Sequence, residues 1–214
     1  NITIVCDVLG KENNGTTVAA MNLIRYLKSA GHKVTILCGD QDKKNEKDYY
    51  VVPNISFGKM LDKYVEKVGV TLAKPDKDII KLAVQNADLV HIMVPLGLGI
   101  TTIKVIRELN LNIPITAGFH MQAENFTSHI KMNKLKLVNH KLYRFLYKHF
   151  YQYVDGVHYP TEFIKQTFEN NLKEDSVPPR AYVISNGVNE QVKKLEIEKP
   201  EEYKNKIVVL TIGR

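Results

Sequence analysis

The feature of this sequence that most constrains its fold is the alternation of short apolar runs with stretches of helical periodicity. The run Ile2–Cys6 has the length of a strand, and the apolar residues between Val18 and Leu27 recur at the spacing of one helix face. Gly31 follows that stretch as a helix stop. The same pairing repeats along the chain, and it predicts a doubly wound parallel α/β sheet with helices on both faces.

The two patterns together give a set of predicted elements. The predicted strands are Ile2–Cys6, Lys33–Cys38, Leu89–Val94, Ile113–Phe119, Gly156–Tyr159 and Tyr182–Ser185. The predicted helices, after the first one, are Ile79–Ala87, Ile100–Leu109, a long helix over about 130–153, and Thr161–Asn170. Residues 40–48 are charged, which favours a loop in solvent.

Composition argues against membrane-spanning and disulfide-rich proteins. The chain has 214 residues, of which 44% are hydrophobic and 25% are charged, as in an ordinary globular protein. Its apolar runs are of strand length, so we expect neither a transmembrane helix nor a secretory signal. Because there are only two cysteines, we expect Cys6 and Cys38 to be buried free thiols in a reducing compartment.

The last part of the chain differs from the rest. We predict that residues 1–189 form one domain, that the charged stretch 190–206 is a linker, and that 207–214 is a further buried strand. A strand must pair its backbone groups within a sheet. This strand could complete the sheet of the first domain, but the linker favours its being the first strand of a second, truncated domain.

One group of polar residues lies where a ligand is expected. His120 directly follows the predicted strand Ile113–Phe119, and Glu124 and Asn125 follow in the next loop. In open parallel sheets, ligands bind just beyond the carboxyl ends of the strands. His120 is therefore a candidate site residue, and a surface-loop histidine without a function is the alternative that position alone leaves open.

Short motifs along the chain resemble those of a known enzyme family. In chain order they are Asn13–Thr17 after the first strand, Leu27–Val34 with the pattern L-x-x-x-G-H-x-V, His120, Ser185–Asn189, and Leu210–Arg214. Together these motifs resemble the N-terminal half of GT-B glycosyltransferases of retaining family four. Within that family, the chain resembles bacterial diacylglycerol glucosyltransferases and related lipid or polysaccharide glycosyltransferases.

The resemblance implies an architecture and an activity. GT-B enzymes have two Rossmann-like domains with the active site between them, and this chain resembles the acceptor-side domain. The whole enzyme would transfer a sugar from a nucleotide-sugar donor to a lipid or saccharide acceptor with retention, using no cofactor and no essential metal. Because the second domain of the family holds most of the donor contacts, we expect this chain alone to be inactive.

The resemblance also assigns roles to individual residues. His120 would be catalytic, either by bonding the transferred sugar or by presenting its carbonyl to the developing positive charge. The donor-binding residues would be Gly15, Asn186, Gly187 and Arg214, and the acceptor-binding residues Asn14, Thr16, Glu124 and Asn125. Backbone N–H groups at a helix start favour an anion such as the donor diphosphate, and an arginine can donate two bonds to phosphate. Asn14 stands where the family often has a second glycine, and the G-x-G-x-x-G fingerprint is absent, so an ordinary turn is the alternative.

A basic stretch is the second functional clue. No acidic residue lies between Glu124 and Asp155, and the chain has a net charge of +7. In the long predicted helix, an apolar stripe comprises Leu135, Val138, Leu142, Phe145, Leu146 and Tyr153, and a second row comprises Tyr143, Tyr147 and Tyr151. We predict that four basic residues face an anionic membrane surface: Lys134, Lys141, Arg144 and Lys148. A core-packed helix with a solvated basic face is the alternative.

Several partners and functions follow as expectations. We expect a cytoplasmic protein that binds peripherally to the inner face of the membrane. The chain has no recognised nucleic-acid-binding motif, which argues against nucleic acid as a partner. The alternatives to a glycosyltransferase are another GT-B enzyme, such as a nucleotide-sugar epimerase or a phosphorylase, and a non-catalytic Rossmann-like binding domain.

Overall fold

Seven parallel strands form one sheet in the computed structural model, which describes residues 1–7, 9–10, 15–56, 72–120, 136–187, 196 and 198–209. The strands are β1 (Ile2–Cys6), β2 (Val34–Cys38), β3 (Tyr49–Val51), β4 (Leu89–Ile92), β5 (Ile115–Gly118), β6 (Gly156–Tyr159) and β7 (Arg180–Val183). Their order across the sheet is β3-β2-β1-β4-β5-β6-β7. This order and the parallel pairing confirm the predicted doubly wound α/β fold.

Helices connect the described strands. They are α1 (Gly15–Ser29), α2 (Lys77–Val84), α3 (Gly97–Glu108), α4 (Lys136–His149) and α5 (Glu162–Glu169). Two of them begin at side-chain caps, because Asp76 accepts from the N–H groups of Asp78 and Ile79, and Thr161 Oγ1 accepts from the N–H of Ile164. None of the described helices is long and apolar enough to cross a membrane.

Alternate residues of β1 point to opposite faces of the sheet and enter two separate cores. On one face, which we call the α1 face, Ile4 and Cys6 belong to a core that includes Ile24 of α1. On the other face, Val5 belongs to a larger core. That core takes side chains from the other four helices, among them Ile80, Ile103, Tyr143 and Phe168. Most of the helical packing therefore lies on the face opposite α1.

An aromatic cluster fixes the end of β5. Phe119, directly after β5, is 1% exposed. Its ring centroid lies 4.9 Å from that of Phe168, 5.3 Å from that of Tyr151 and 5.4 Å from that of Tyr159. Aromatic pairs of this kind contribute roughly 0.5–1.5 kcal/mol each beyond their buried area. The cluster therefore holds the end of β5, and with it His120, in a defined position.

The two cysteines are buried free thiols, as the sequence predicts. Cys6 and Cys38 are register partners at the carboxyl ends of β1 and β2. Burial raises the pKa of the Cys38 thiol to about 12, so this group stays protonated and unreactive at neutral pH.

The observed element boundaries agree with the predicted ones to within a few residues. β1 and β6 match their predicted ranges, whereas β7 begins at Arg180 and ends at Val183. The sequence patterns do not predict β3, because a strand of 3 residues after a charged loop carries no periodicity of its own. The helix predicted to begin near residue 130 is described from Lys136 onward, since residues 121–135 lie outside the described ranges.

The end of the chain takes no part in the sheet as described. β7, the last strand in chain order, ends at Val183, inside the predicted first domain. Ile207, Val208 and Val209 are exposed and belong to no strand. Because residues 188–195, 197 and 210–214 lie outside the described ranges, the linker at 190–206 and the strand at 207–214 stay predictions.

Candidate functional site

The carboxyl ends of the parallel strands meet at one edge of the sheet. From β1 the chain adds β2 and β3 on one side, and then crosses back to place β4 on the other side of β1. The strand order therefore reverses between β1 and β4. Ligands of doubly wound sheets bind outside the carboxyl edge near such a reversal. The residues at and just after the strand ends are thus the candidates for a site.

A groove of about 900 Å³ lies along the α1 face of the sheet. Its apolar lining comes from α1 and from the neighbouring strands, and includes Leu23, Leu27, Ile4 and Met93. Its polar lining includes His91, His120, His158 and Asn186. A smaller cavity of about 280 Å³ is lined by Asn1, Thr3, Lys33 and Thr35, at the amino edge of the strands. The larger one, which we call the sheet groove, reaches the edge where ligands are expected.

His120 lies half-buried in the sheet groove, one residue after Phe119. Burial, and to a smaller extent the nearby His158, lower the pKa of His120 to about 4. The imidazole is therefore neutral at physiological pH, and it can donate through one ring nitrogen and accept through the other. A neutral ring of this kind is suited to hydrogen bonding with sugar hydroxyls.

The position of the His120 ring depends on Gly118. A Cβ added at Gly118 would lie 2.6 Å from both Cδ2 and Nε2 of His120, and 3.3 Å from the carbonyl oxygen of Met93. Real Cβ atoms do not approach other heavy atoms to 2.6 Å, so the ring folds back over the last residue of β5 only because that residue is glycine. The sequence motifs do not single out this glycine.

His158 lies beside His120 and contacts the segment after β7. The ring centroids of the two histidines are 5.8 Å apart and their planes are inclined by 63°. Nε2 of His158 lies 2.6 Å from the carbonyl oxygen of Ile184. The backbone carbonyl of His158 accepts from the N–H of Phe119 at 2.8 Å. His158 therefore joins the ends of β5, β6 and β7 at one place.

His91 is the third histidine in the sheet groove. Its Nδ1 lies 2.9 Å from Oγ1 of Thr116, whereas its Nε2 is buried and has no hydrogen-bond partner among the described residues. Burial first, and then His120 and His158, lower the pKa of His91 to about 3, so this ring is neutral as well. In the described part of the chain, no group of three or more histidine, cysteine or acidic side chains is placed to hold a metal ion.

Asp7, directly after β1, closes the start of α3. Its Oδ1 accepts from the N–H of Leu98 at 2.8 Å and its Oδ2 accepts from the N–H of Gly99 at 3.2 Å. Burial raises the pKa of Asp7 to about 6, although both hydrogen bonds act in the opposite direction. The anion-favouring start of α3 is therefore filled by a carboxyl group of the protein itself.

Comparison with known protein families now identifies the chain. The family profile described as Glycosyltransferase Family 4 matches residues 13–192, which is most of the sequence. This chain belongs to glycosyltransferase family 4. Among curated proteins, none matches the family 4 chain.

Solved structures similar to the family 4 chain include two enzymes. One is the UDP-GlcNAc 2-epimerase from Methanocaldococcus jannaschii, with a TM-score of 0.47 and 13% sequence identity over 86% of this chain and 45% of that one. The other is an α-glucosyltransferase in complex with UDP, with a TM-score of 0.44 and 12% identity over 87% of this chain and 44% of that one. The family 4 chain thus spans less than half the length of either enzyme.

The predicted donor and acceptor residues of the family 4 chain fall into separate groups. Asn186 and Gly187 are exposed and line the sheet groove together with His120. Gly15 and Thr16 begin α1, and neither lines the sheet groove. The other predicted residues lie outside the described ranges: Asn14, Glu124, Asn125 and Arg214. His120, Asn186 and Gly187 therefore line the same groove. Among the described residues, no contact links these three to the start of α1.

The basic helix of the family 4 chain is only partly arranged as predicted. Lys141 and Lys148 of α4 are exposed, whereas Arg144 is half-buried and its Nε donates to the carbonyl of Asn171 at 3.4 Å. Lys134 lies outside the described residues. Two of the four predicted basic positions are therefore free to meet a surface.

The aromatic residues near α4 depart further from the predicted stripes. Tyr143 and Tyr151 are fully buried, because they belong to the aromatic core around Phe119. Phe145 is 53% exposed and Tyr153 is 42% exposed, although the predicted stripe places both on the apolar face. Phe145, from the predicted core stripe, lies one helical turn from both Lys141 and Lys148. The ring of Tyr153 instead lies against the guanidinium of Arg107, with 4.8 Å between the ring centroid and Cζ.

Proposed function

We propose that this chain is the acceptor-side half of a glycosyltransferase that moves a sugar from a nucleotide-sugar donor to a lipid or saccharide acceptor, with retention of anomeric configuration. Membership of glycosyltransferase family 4 supports the reaction class. The observation that carries the proposal is the neutral, half-buried imidazole of His120, which lies in the sheet groove at the carboxyl edge of the strands. The proposed enzyme is a hexosyltransferase, and the chain alone is proposed to be inactive.

The proposed chemistry needs hydrogen bonding at His120 and no charge on its ring. As the bond between the sugar and the nucleotide breaks, positive charge develops on the sugar ring, and a cationic imidazole beside it would oppose that change. A neutral His120 can instead bond a sugar hydroxyl through a ring nitrogen, or its backbone carbonyl can face the developing charge. We assign no general base, no cofactor and no essential metal to this half of the enzyme.

The proposed donor contacts come from the exposed segment after β7. Asn186 and Gly187 line the sheet groove near His120, so a bound sugar or phosphate could reach both. The start of α1 at Gly15 would direct backbone N–H groups toward a phosphate, whereas the N–H groups at the start of α3 already donate to Asp7. Arg214 remains a proposed phosphate ligand on the basis of the motif alone.

We further propose a cytoplasmic location with peripheral binding to the inner face of the membrane. The support is a small surface on α4, where Lys141, Phe145 and Lys148 are exposed and follow one another at one-turn spacing. Basic side chains attract anionic lipid, and exposed aromatic rings can enter the headgroup region. Such a surface would bring the enzyme to a glycolipid precursor, which makes a lipid the preferred acceptor.

The experiment that tests the proposed function replaces His120 with alanine in the full-length enzyme. Loss of one preorganised hydrogen bond to the transition state costs on the order of 2–4 kcal/mol, so turnover should fall about 10²–10³-fold while thermal unfolding stays unchanged. His140→Ala is the matched control, because His140 is also half-buried and bonded, to Asn171 Oδ1 at 2.8 Å, but lies on α4 away from the sheet groove. Normal turnover of the His120 variant at saturating substrates would exclude His120 from the mechanism.

A further inference from the structure

His158 joins two parts of the proposed site that are distant in sequence. On one side its ring lies edge-on to the ring of His120, with centroids 5.8 Å apart. On the other side its Nε2 lies 2.6 Å from the carbonyl oxygen of Ile184. Ile184 is followed at once by the segment that contains Asn186 and Gly187, which lines the same groove.

The chemistry of the contact to Ile184 fixes the tautomer of His158. A backbone carbonyl can only accept a hydrogen bond, so Nε2 of His158 carries a proton and donates it. As far as the structure describes the chain, the segment that this bond holds has little other support, because Ile184 is 59% exposed and Ser185, Asn186 and Gly187 are exposed as well. In the described residues, the other bond to Ile184 runs from its N–H to the carbonyl of Tyr159.

The ring of His158 restricts His120 from the side opposite Met93. Gly118 and His158 are register partners on adjacent strands, and the His120 ring folds back over Gly118. The ring therefore lies between the backbone of β5 and the side chain of His158. Loss of that side chain would leave His120 free to turn toward β6.

We propose that His158 is a positioning residue for glycosyl transfer, whose ring keeps the His120 imidazole over Gly118 and whose Nε2–H holds the donor-binding segment 184–187. This inference rests on the proposed function. The contact of the His158 ring with His120 affects the transfer step, in which the sugar reacts. The hydrogen bond from His158 to Ile184 affects binding of the donor.

Three substitutions separate the two contacts. His158→Phe keeps a ring beside His120 but cannot donate to Ile184. His158→Gln keeps an N–H donor at about the same reach but has no ring. His158→Leu keeps neither contact. Each variant is made in the full-length enzyme and compared by kcat, by the KM for the nucleotide-sugar donor, and by thermal unfolding.

The expected result is a split between the two kinetic constants. His158→Phe should raise the donor KM about tenfold and leave kcat within threefold of the original enzyme. His158→Gln should lower kcat at least tenfold and leave the donor KM nearly unchanged. His158→Leu should show both defects. His140→Leu, which removes a comparable hydrogen bond from a half-buried histidine to Asn171, should show neither defect at a similar loss of thermal stability.

A spectroscopic readout checks the contact to His120 directly. The pKa of the His120 ring is lowered in part by the nearby His158. In His158→Gln, the pKa of His120 measured from its imidazole NMR signals should therefore rise, whereas in His140→Leu it should not change. A His120 signal that titrates identically in His158→Gln and the original enzyme would contradict the positioning role.

The outcomes also separate this inference from the proposed function. If the His158 variants keep both kinetic constants, or lose activity only as far as they unfold, while His120→Ala is inactive, then the positioning role is wrong and the proposed function stands. If His120→Ala itself turns over normally, then His120 has no part in the mechanism and the positioning role of His158 is wrong with it. If the full-length enzyme with its original sequence transfers no sugar, then the proposed function is wrong.

Discussion

Replacing Gly118 with alanine should move His120 out of position without unfolding the sheet. The new Cβ would lie 2.6 Å from two ring atoms of His120, whereas carbon atoms in contact are about 3.5–4.0 Å apart, so the ring must move by about 1 Å. The ring is the far end of a rotatable side chain, and the 3.3 Å approach to the carbonyl of Met93 needs a shift of only a few tenths of an ångström. Alanine also restricts the unfolded chain more than glycine does, so the net change in stability should stay within about 1 kcal/mol.

The expected kinetic effect of Gly118→Ala is much larger than its effect on stability. A misplacement of about 1 Å can cost roughly 10²-fold in rate, so kcat of the full-length enzyme should fall by about that factor. The assay is turnover at saturating donor and acceptor, with thermal unfolding measured on the same samples. Gly97→Ala is the matched control, because within the described ranges its Cβ would meet Pro75 alone, at an ordinary 3.7 Å. A folded Gly118→Ala enzyme with the original kcat would refute the argument that the His120 ring must lie over β5.

Three further predictions concern stability and membrane binding. Tyr159→Phe should leave the free energy of unfolding unchanged or raise it by about 1 kcal/mol, because the buried hydroxyl has no partner among the described residues. Lowering the pH from 7 to 5 should destabilise the protein in urea denaturation, because His91 and His120 have folded pKa values of about 3 and 4 and take up protons on unfolding below about 6.5. Each of these histidines contributes a loss of up to about 2 kcal/mol at pH 5. Changing Lys141 and Lys148 to glutamine should weaken binding of the full-length enzyme to anionic vesicles at low salt by about 2 kcal/mol, roughly 30-fold in Kd.

Each of these predictions has a control or an opposing contribution. Tyr147→Phe should destabilise the chain, because the Tyr147 hydroxyl donates to the carbonyl of Val177 at 2.9 Å and accepts from its N–H at 3.1 Å. Asp7 acts in the opposite direction, because burial raises its pKa in the folded protein to about 6. Between pH 7 and pH 5 the folded state therefore binds a proton that the unfolded state does not, which stabilises the protein by about 1 kcal/mol. A net gain of stability at pH 5 would contradict the histidine assignment. Glutamine at Lys28 and Lys104, which are exposed on α1 and α3, should leave vesicle binding nearly unchanged, and an equal loss would indicate a general charge effect.

The strands and helices with strong periodicity could be predicted from the sequence. β1 and β6 match their predicted ranges because each is an apolar run with clear turn residues on both sides. β3 could not be predicted, since it has only 3 residues and exists because its backbone pairs with β2. The burial of Tyr143 and Tyr151 could not be predicted from helical spacing either. It depends on contacts with the aromatic core around Phe119, which come from residues distant in sequence.

The candidate site could be predicted only at the residues that follow a strand end. His120 stands out because it directly follows an apolar run. Gly118 and His158 do not stand out, because their roles depend on a register between β5 and β6 that joins residues far apart in sequence. His91 depends in the same way on the register between β4 and β5, since its partner Thr116 lies on β5. The role of Asp7 could not be predicted from its position after β1, because the N–H groups that it accepts from belong to Leu98 and Gly99, far away in sequence.

The most direct test of the central claim is a single NMR measurement of the product made by the full-length enzyme. The enzyme is incubated with a carbon-13-labelled nucleotide sugar and with lipid and saccharide acceptors, and the label is followed at its anomeric carbon. The account predicts a labelled glycoside on the acceptor with the same anomeric configuration as the donor. Label that stays on the nucleotide as an isomeric sugar, or a glycoside with the inverted configuration, would contradict it.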